Sequence, residues 1–133
     1  MKTYDLQGIE LNVAREHAFN FIADPKQLPN WTHAFASVEN GQAVMRTPNG
    51  ETTIGLSVHA NAENGTVDWI MTFPDGSVGK AFSRLVTLGP ARCVFCFVLT
   101  PPPLPLEQLE GALEQSAKTL ASELQTLKQI LRA

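Results

Sequence analysis

Residues 105–132, PLEQLEGALEQSAKTLASELQTLKQILR, carry the clearest periodicity in the chain. Leu106, Leu109, Leu113, Ala117, Leu120, Leu124, Leu127 and Leu131 recur every three or four residues, the repeat of one apolar face on an α-helix. Pro105 suits a first helical turn, where its missing N–H would have no partner in any case. Glu107 and Glu110 near the start, with Lys128 and Arg132 near the end, complement the helix dipole. At about 1.5 Å per residue such a helix runs roughly 40 Å. That is the width of a small domain, so the leucine stripe needs a large apolar partner.

Upstream, the period changes. Ile9, Leu11 and Val13 alternate with Glu10 and Asn12, as in a half-buried strand. Arg15 to Ala23 follows at helical spacing and stops at Asp24-Pro25, and a short helical turn over Lys26 to Leu28 leads into Pro29-Asn30-Trp31. From Thr32 onward Asn40-Gly41, Asn49-Gly50, Asn64-Gly65 and Asp75-Gly76 each favour a tight reversal, because these residues tolerate positive φ, and Gly89-Pro90 adds a fifth break. The intervals 33–39, 42–48, 51–61, 66–74, 77–88 and 91–99 have strand length, which predicts an antiparallel meander. Pro101-Pro102-Pro103 ends it, since proline cannot donate to a sheet ladder, and leads into the long helix.

If each reversal is a two-residue turn, paired residues share a face and the assignment carries across all six strands. One face then collects Ala36, Val38, Ala43, Met45, Ile54, Leu56, Val58, Val67, Trp69, Met71, Val78, Lys80, Phe82, Arg84, Val86, Cys93, Phe95 and Phe97. The other holds Ser37, Arg46, Thr53, Gly55, Ser57, His59, Asp68, Thr72, Ser83, Thr87 and Arg92, with Val44, Ile70, Leu85, Val94 and Val98 as its apolar members. The first is much the more apolar and is the natural partner of the leucine helix. On this register Trp69, Phe82 and Phe97 form one cross-strand row, and Val67, Arg84 and Phe95 the next. A cation on an inner face is costly unless paired or wet. Arg84 therefore implies an acid such as Glu114 on the helix, a watered space, or an anionic ligand; Lys80 can reach the rim.

The order strand, two short helices, six-strand meander and long C-terminal helix resembles the START-like superfamily, also called SRPBCC, which includes polyketide cyclases, birch-pollen-allergen-like proteins and lipid-transfer domains. The resemblance spans nearly the whole chain, as one START-like domain over residues 1–133. It rests on Phe19-Asn20-Phe21-Ile22-Ala23-Asp24-Pro25, Leu28-Pro29-Asn30-Trp31, Val67-Asp68-Trp69, Ser83-Arg84-Leu85 and the terminal Leu120 to Leu131. It implies an α+β helix-grip fold, a curved antiparallel sheet of about seven strands wrapped on the C-terminal helix, with a cavity between them. The face assignment then supplies a candidate lining. Trp31 and His33 stand near the mouth, Met45, Trp69, Met71, Phe82, Arg84, Phe95 and Phe97 on the sheet, and Leu113 and Ala117 on the helix. Such motifs specify a fold far better than an activity, because the superfamily mixes binders, carriers and enzymes.

Composition narrows the choice. The chain has 133 residues, 44% hydrophobic and 17% charged, with a formal net charge of -3 and no run of one sign. That suits one globular core and argues against a nucleic-acid partner or a polybasic membrane patch. The N-terminal residues lack the apolar run of a signal peptide, and no stretch reaches the roughly 18 apolar residues of a membrane span, so a cytoplasmic location is expected. Cys93 and Cys96 lie three apart in a strand-like run and so face opposite ways, which argues against a zinc or redox pair. No H-E-x-x-H, G-x-S-x-G or glycine-rich phosphate loop is present, and neither a metal nor a cofactor is expected. His33 could serve as a polar contact or general base, while His17 and His59 read as solvent-facing. The reading is a binder of a small hydrophobic or amphipathic, possibly anionic, ligand, as monomer or homodimer. The alternative is a polyketide cyclase or dehydratase working in the same cavity.

Overall fold

The computed structural model describes residues 4–47, 50–100 and 106–132, and for residue 47 and residues 106–113 the backbone alone. Strand β1 (Asp5–Leu11) leads into helix α1 (Arg15–Ile22), a single 3-10 turn (Pro25–Gln27) and helix α2 (Leu28–Trp31). Strands β2 (Phe35–Glu39), β3 (Gln42–Thr47), β4 (Gly50–Asn61), β5 (Thr66–Thr72), β6 (Val78–Gly89) and β7 (Arg92–Leu99) follow as a meander, and helix α3 (Leu106–Ile130) closes the order. The seven strands form one antiparallel sheet in the order β1-β7-β6-β5-β4-β3-β2, so β1 returns to flank β7. This is the expected α+β helix-grip arrangement. The triple proline, Pro105 and the side chains of Leu106, Leu109 and Leu113 lie outside the described residues.

Helix α3 is held because its stripe has something to bury. Leu120, Leu124, Leu127 and Leu131 are buried against the inner face of the sheet, each contributing roughly 1.5–3 kcal/mol. Gln7 on β1 adds a polar tie, its side-chain amide donating to the Ala117 carbonyl at 2.8 Å. The N-terminal helices close the same core with Ala18, Ile22, Leu28 and Trp31.

The turns decide which side chains share that core. Asn40 (φ +53) and Gly41 (φ +77) form the expected two-residue reversal, with Glu39 opposite Gln42. Asn61 pairs with Thr66 across a loop two residues longer than expected, and Thr47 pairs with Gly50, two residues out from the expected register. Both displacements are even, so the faces survive. The Asp75-Gly76 reversal is different. Phe73 N–H donates to Ser77 O, Gly76 N–H to Phe73 O, and Gly76 sits at φ +88, a three-residue loop that ends on a left-handed glycine. Thr72 therefore pairs with Val78, an odd displacement that turns every β6 side chain over.

Lys80, Phe82, Arg84 and Val86 are consequently on the outer, solvent side of β6, and Gly79, Ala81, Ser83 and Leu85 face the core. The expectation for Phe82 and Arg84 is corrected on this ground; Phe82 is 38% exposed. Glu114, the suggested partner of Arg84, lies 3.8 Å from Lys118 on the exposed face of α3. The next reversal pairs Gly89 with Arg92, and a register shift between Thr87 and Gly89 turns the faces back. Two odd displacements cancel, so Cys93, Phe95 and Phe97 are inside as expected and Cys96 is on the opposite side. A third irregularity, between Phe35 and Ser37, puts Phe35 rather than Ala36 in the core.

Candidate functional site

The small inner side chains of β6 make room. Trp69 on β5 lies opposite Ala81, and Phe97 on β7 opposite Ser83. With nothing bulky between them, the two rings stack across β6 at a centroid separation of 5.6 Å and 26° between planes. Ser83 is buried but satisfied, its hydroxyl donating to Val67 O at 2.6 Å. Gly79 belongs to the same row of small residues: a Cβ there would meet the Phe73 ring at 3.3 Å and the Met71 methyl at 3.6 Å.

A cavity of about 320 Å³ lies over this row, between sheet, α2 and α3. Trp31, Trp69, Phe97, Met45 and Met71 form much of its wall. Trp31 arrives at the end of α2, where Thr32 closes the helix by donating both its N–H and its hydroxyl to Leu28 O, at 2.9 and 2.6 Å. Its indole lies 6.4 Å from Trp69 and, edge-on, 6.4 Å from Phe95. Trp31 is 3% and Trp69 4% exposed, and both indole N–H groups lack a hydrogen-bond partner among the described residues. Each such buried orphan donor costs about 1–3 kcal/mol.

The helical side of the cavity is polar. Ser116, Thr119, Leu120 and Glu123 line it at the i, i+3, i+4, i+7 spacing of one helix face. Glu123 is buried, and its carboxylate accepts the His33 backbone N–H at 2.5 Å, tying α3 to the segment between α2 and β2. Arg46 on β3 holds the same segment from the other side, donating to His33 O at 3.1 Å. Burial pushes the Glu123 carboxyl above its ordinary value, opposed by that N–H bond and by the nearby His33.

This has a consequence for stability. The folded chain holds a proton on Glu123 at pH values where the unfolded chain has released it, so stability must fall as pH rises from 4.5 through the raised value. Denaturant unfolding at about pH 5 and about pH 8 should show Glu123→Gln gaining on the wild type at the higher pH. An identical pH dependence in both proteins would contradict a strained carboxylate.

Of the residues expected at a site, Trp31, Met45, Trp69, Met71 and Phe97 are brought together on the cavity wall. Phe95 is fully buried behind them, against Trp31 and Phe97. The His33 side chain is exposed, and that residue contributes its backbone N–H. Ala117 is half-buried and uses its carbonyl on Gln7. Phe82 and Arg84 are on the other face of the sheet, and the side chain of Leu113 lies outside the described residues. Glu123 was not anticipated, although its position was readable: residues 120, 123 and 127 form one ridge of a helix, so a carboxylate between two buried leucines had to be buried with them. His59 and Asp68, both expected on the outer face, stand directly opposite one another there, with the His59 ring 2.9 Å from the Ser57 hydroxyl. Among the described residues no group of three or more histidines, cysteines or acids is placed to hold a metal ion. No described helix is long and apolar enough to cross a membrane.

No family model matches the chain, and no curated protein sequence does. Solved structures do. A START superfamily protein from Mycobacterium smegmatis superposes with a TM-score of 0.70 at 11% identity, covering 98% of this chain and 97% of that one. Zhui, an aromatase/cyclase from a Streptomyces species, gives 0.69 at 9% identity over 96% and 92%. The Aha1 protein of Colwellia psychrerythraea, solved in solution as a dimer, gives 0.68 at 14% over 98% and 97%. At such identities the likeness is one of fold, and with the sheet order and the α3 packing it leads to one conclusion: this chain has the START-like (SRPBCC) helix-grip fold.

Proposed function

We propose that the protein is a cytoplasmic binder of a small, largely apolar ligand, held in the cavity between the sheet and α3. The observation that carries this reading is the cavity itself, about 320 Å³, walled by Trp31, Trp69, Phe97, Met45 and Met71. A ligand with an apolar ring body would cover Phe97, Met45 and Met71. The thioethers adapt to irregular shapes, which suits a site of broad tolerance. With Arg84 on the outer face, the support for an anionic ligand is gone.

Native mass spectrometry of the protein purified from its own host is the direct test, with a small molecule retained at one per chain as the expected result. Trp69→Ala should lose that molecule while remaining folded. Retention by the variant, or a bare wild-type chain that also fails to bind any neutral aromatic probe by calorimetry, would remove the reading.

A second reading has one specific support: aromatase/cyclases share the fold, and Glu123 places a carboxyl with a raised proton affinity in the cavity. In a cyclase or dehydratase this group would move a proton on a ketide-like substrate. Glu123→Gln would then abolish turnover of such a substrate and leave its binding intact.

A further inference from the structure

We propose that Glu123 is the anchor for a cationic head group, so that the cavity takes small apolar amines in preference to alcohols or acids of the same shape. This rests on the binding reading above and adds the ligand's class to it. One carboxylate oxygen of Glu123 accepts the His33 N–H; the other has no partner among the described residues. Glu123 and Lys80 are the only ionisable residues among the described ones that line the cavity. Lys80 belongs to the outer register of β6 and is exposed, so among the described residues no lysine or arginine answers the buried carboxylate, and the exposed His33 is the one basic side chain that acts on it.

A buried acid with no lysine or arginine beside it is half of an ion pair. Its desolvation has already been borne by folding, so a ligand ammonium arriving beside it gains attraction without adding that cost again. The walls act in the same direction. Trp31, Trp69 and Phe97 carry electron-rich ring faces, and aromatic rings beside a carboxylate form the surroundings that recognise ammonium groups. A ligand carboxylate would meet the opposite field. The raised proton affinity of Glu123 agrees with this: the empty site takes up a proton where the filled one would hold a cation.

Calorimetric titration of the full chain with naphthylmethylamine, naphthylmethanol and naphthoate at neutral pH tests the assignment. In the wild type the amine should bind about tenfold tighter than the alcohol, with the acid weakest. In Glu123→Gln the advantage of the amine over the alcohol should shrink to about twofold or less. An acid that binds as well as the amine in the wild type, or an advantage that survives Glu123→Gln, overturns the anchor. If the alcohol binds and the amine binds no better, the anchor fails and the apolar-binding reading stands. If none of the three binds, both fall. Should Glu123→Gln not fold, the wild-type ranking of the three probes still decides.

Discussion

Gly65→Ala is expected to lower the free energy of unfolding by about 3–4 kcal/mol, one of the two largest losses the structure foretells for a single side chain. Gly65 ends the loop between β4 and β5 at φ +74, a conformation that costs any residue with a Cβ. Space is the larger part of the effect. A Cβ at position 65 would stand 2.5 Å from the Leu85 carbonyl oxygen and closer still to the Arg15 guanidinium. Arg15 can swing aside, losing its 3.0 Å bond to the Ala62 carbonyl. The Leu85 carbonyl cannot, because Leu85 lies in β6 and its N–H is itself bonded to Gly65 O at 2.8 Å, next to the Thr66–Arg84 pair that ends the β5–β6 register. Gly65→Asn separates the two causes. Asparagine tolerates positive φ, so a loss as large as that of Gly65→Ala in urea unfolding would assign the cost to the collision, and a mild loss to the backbone angle. Near-neutral unfolding of Gly65→Ala would contradict both.

The same loop shows why so much of the fold was legible. Asn-Gly and Asp-Gly dipeptides announce reversals whatever their length, so the number of strands, their antiparallel order and the covering helix could be read from local chemistry. Loop length is another matter. Asn64-Gly65 and Asn49-Gly50 displaced the pairing by two, which a period-two structure forgives. Asp75-Gly76 displaced it by one, and the signal was present in Pro74, which suits the second position of a turn that places the glycine last. Side-chain size then reinforced the wrong choice on β6, since Val78, Phe82 and Val86 are bulkier than Gly79, Ala81 and Ser83, although Lys80 and Arg84 on the same side argue the other way. The inner face needed small residues there, because Trp69 and Phe97 from the neighbouring strands occupy the space above them. Packing across three strands is not visible in the pattern of one. Glu123 was hidden for the converse reason, a polar residue on a face judged by its leucines.

Phe95→Ala against Phe82→Ala puts that register to the test, with an expected loss of about 3–5 kcal/mol for the first and about 1 kcal/mol or less for the second. The two phenylalanines lie on adjacent strands, and by hydropathy alone they are equivalent. Phe95 is 0% exposed, edge-on to Trp31 at 6.4 Å and to Phe97 at 6.1 Å, with Leu85 and Ile9 as its cross-strand neighbours. Its removal leaves a void among rings that cannot collapse without abandoning their own edge contacts, so the cavity cost adds to the lost transfer energy. Phe82 stands on the outer face between Asp68 and Val98, where water can fill what truncation leaves. Guanidinium unfolding of both variants with an unchanged m-value gives the comparison directly. Equal losses, or the larger one at Phe82, would mean that β6 presents its bulky side inward. The small row beneath Trp69 and Phe97, and with it the floor of the cavity, would then not exist.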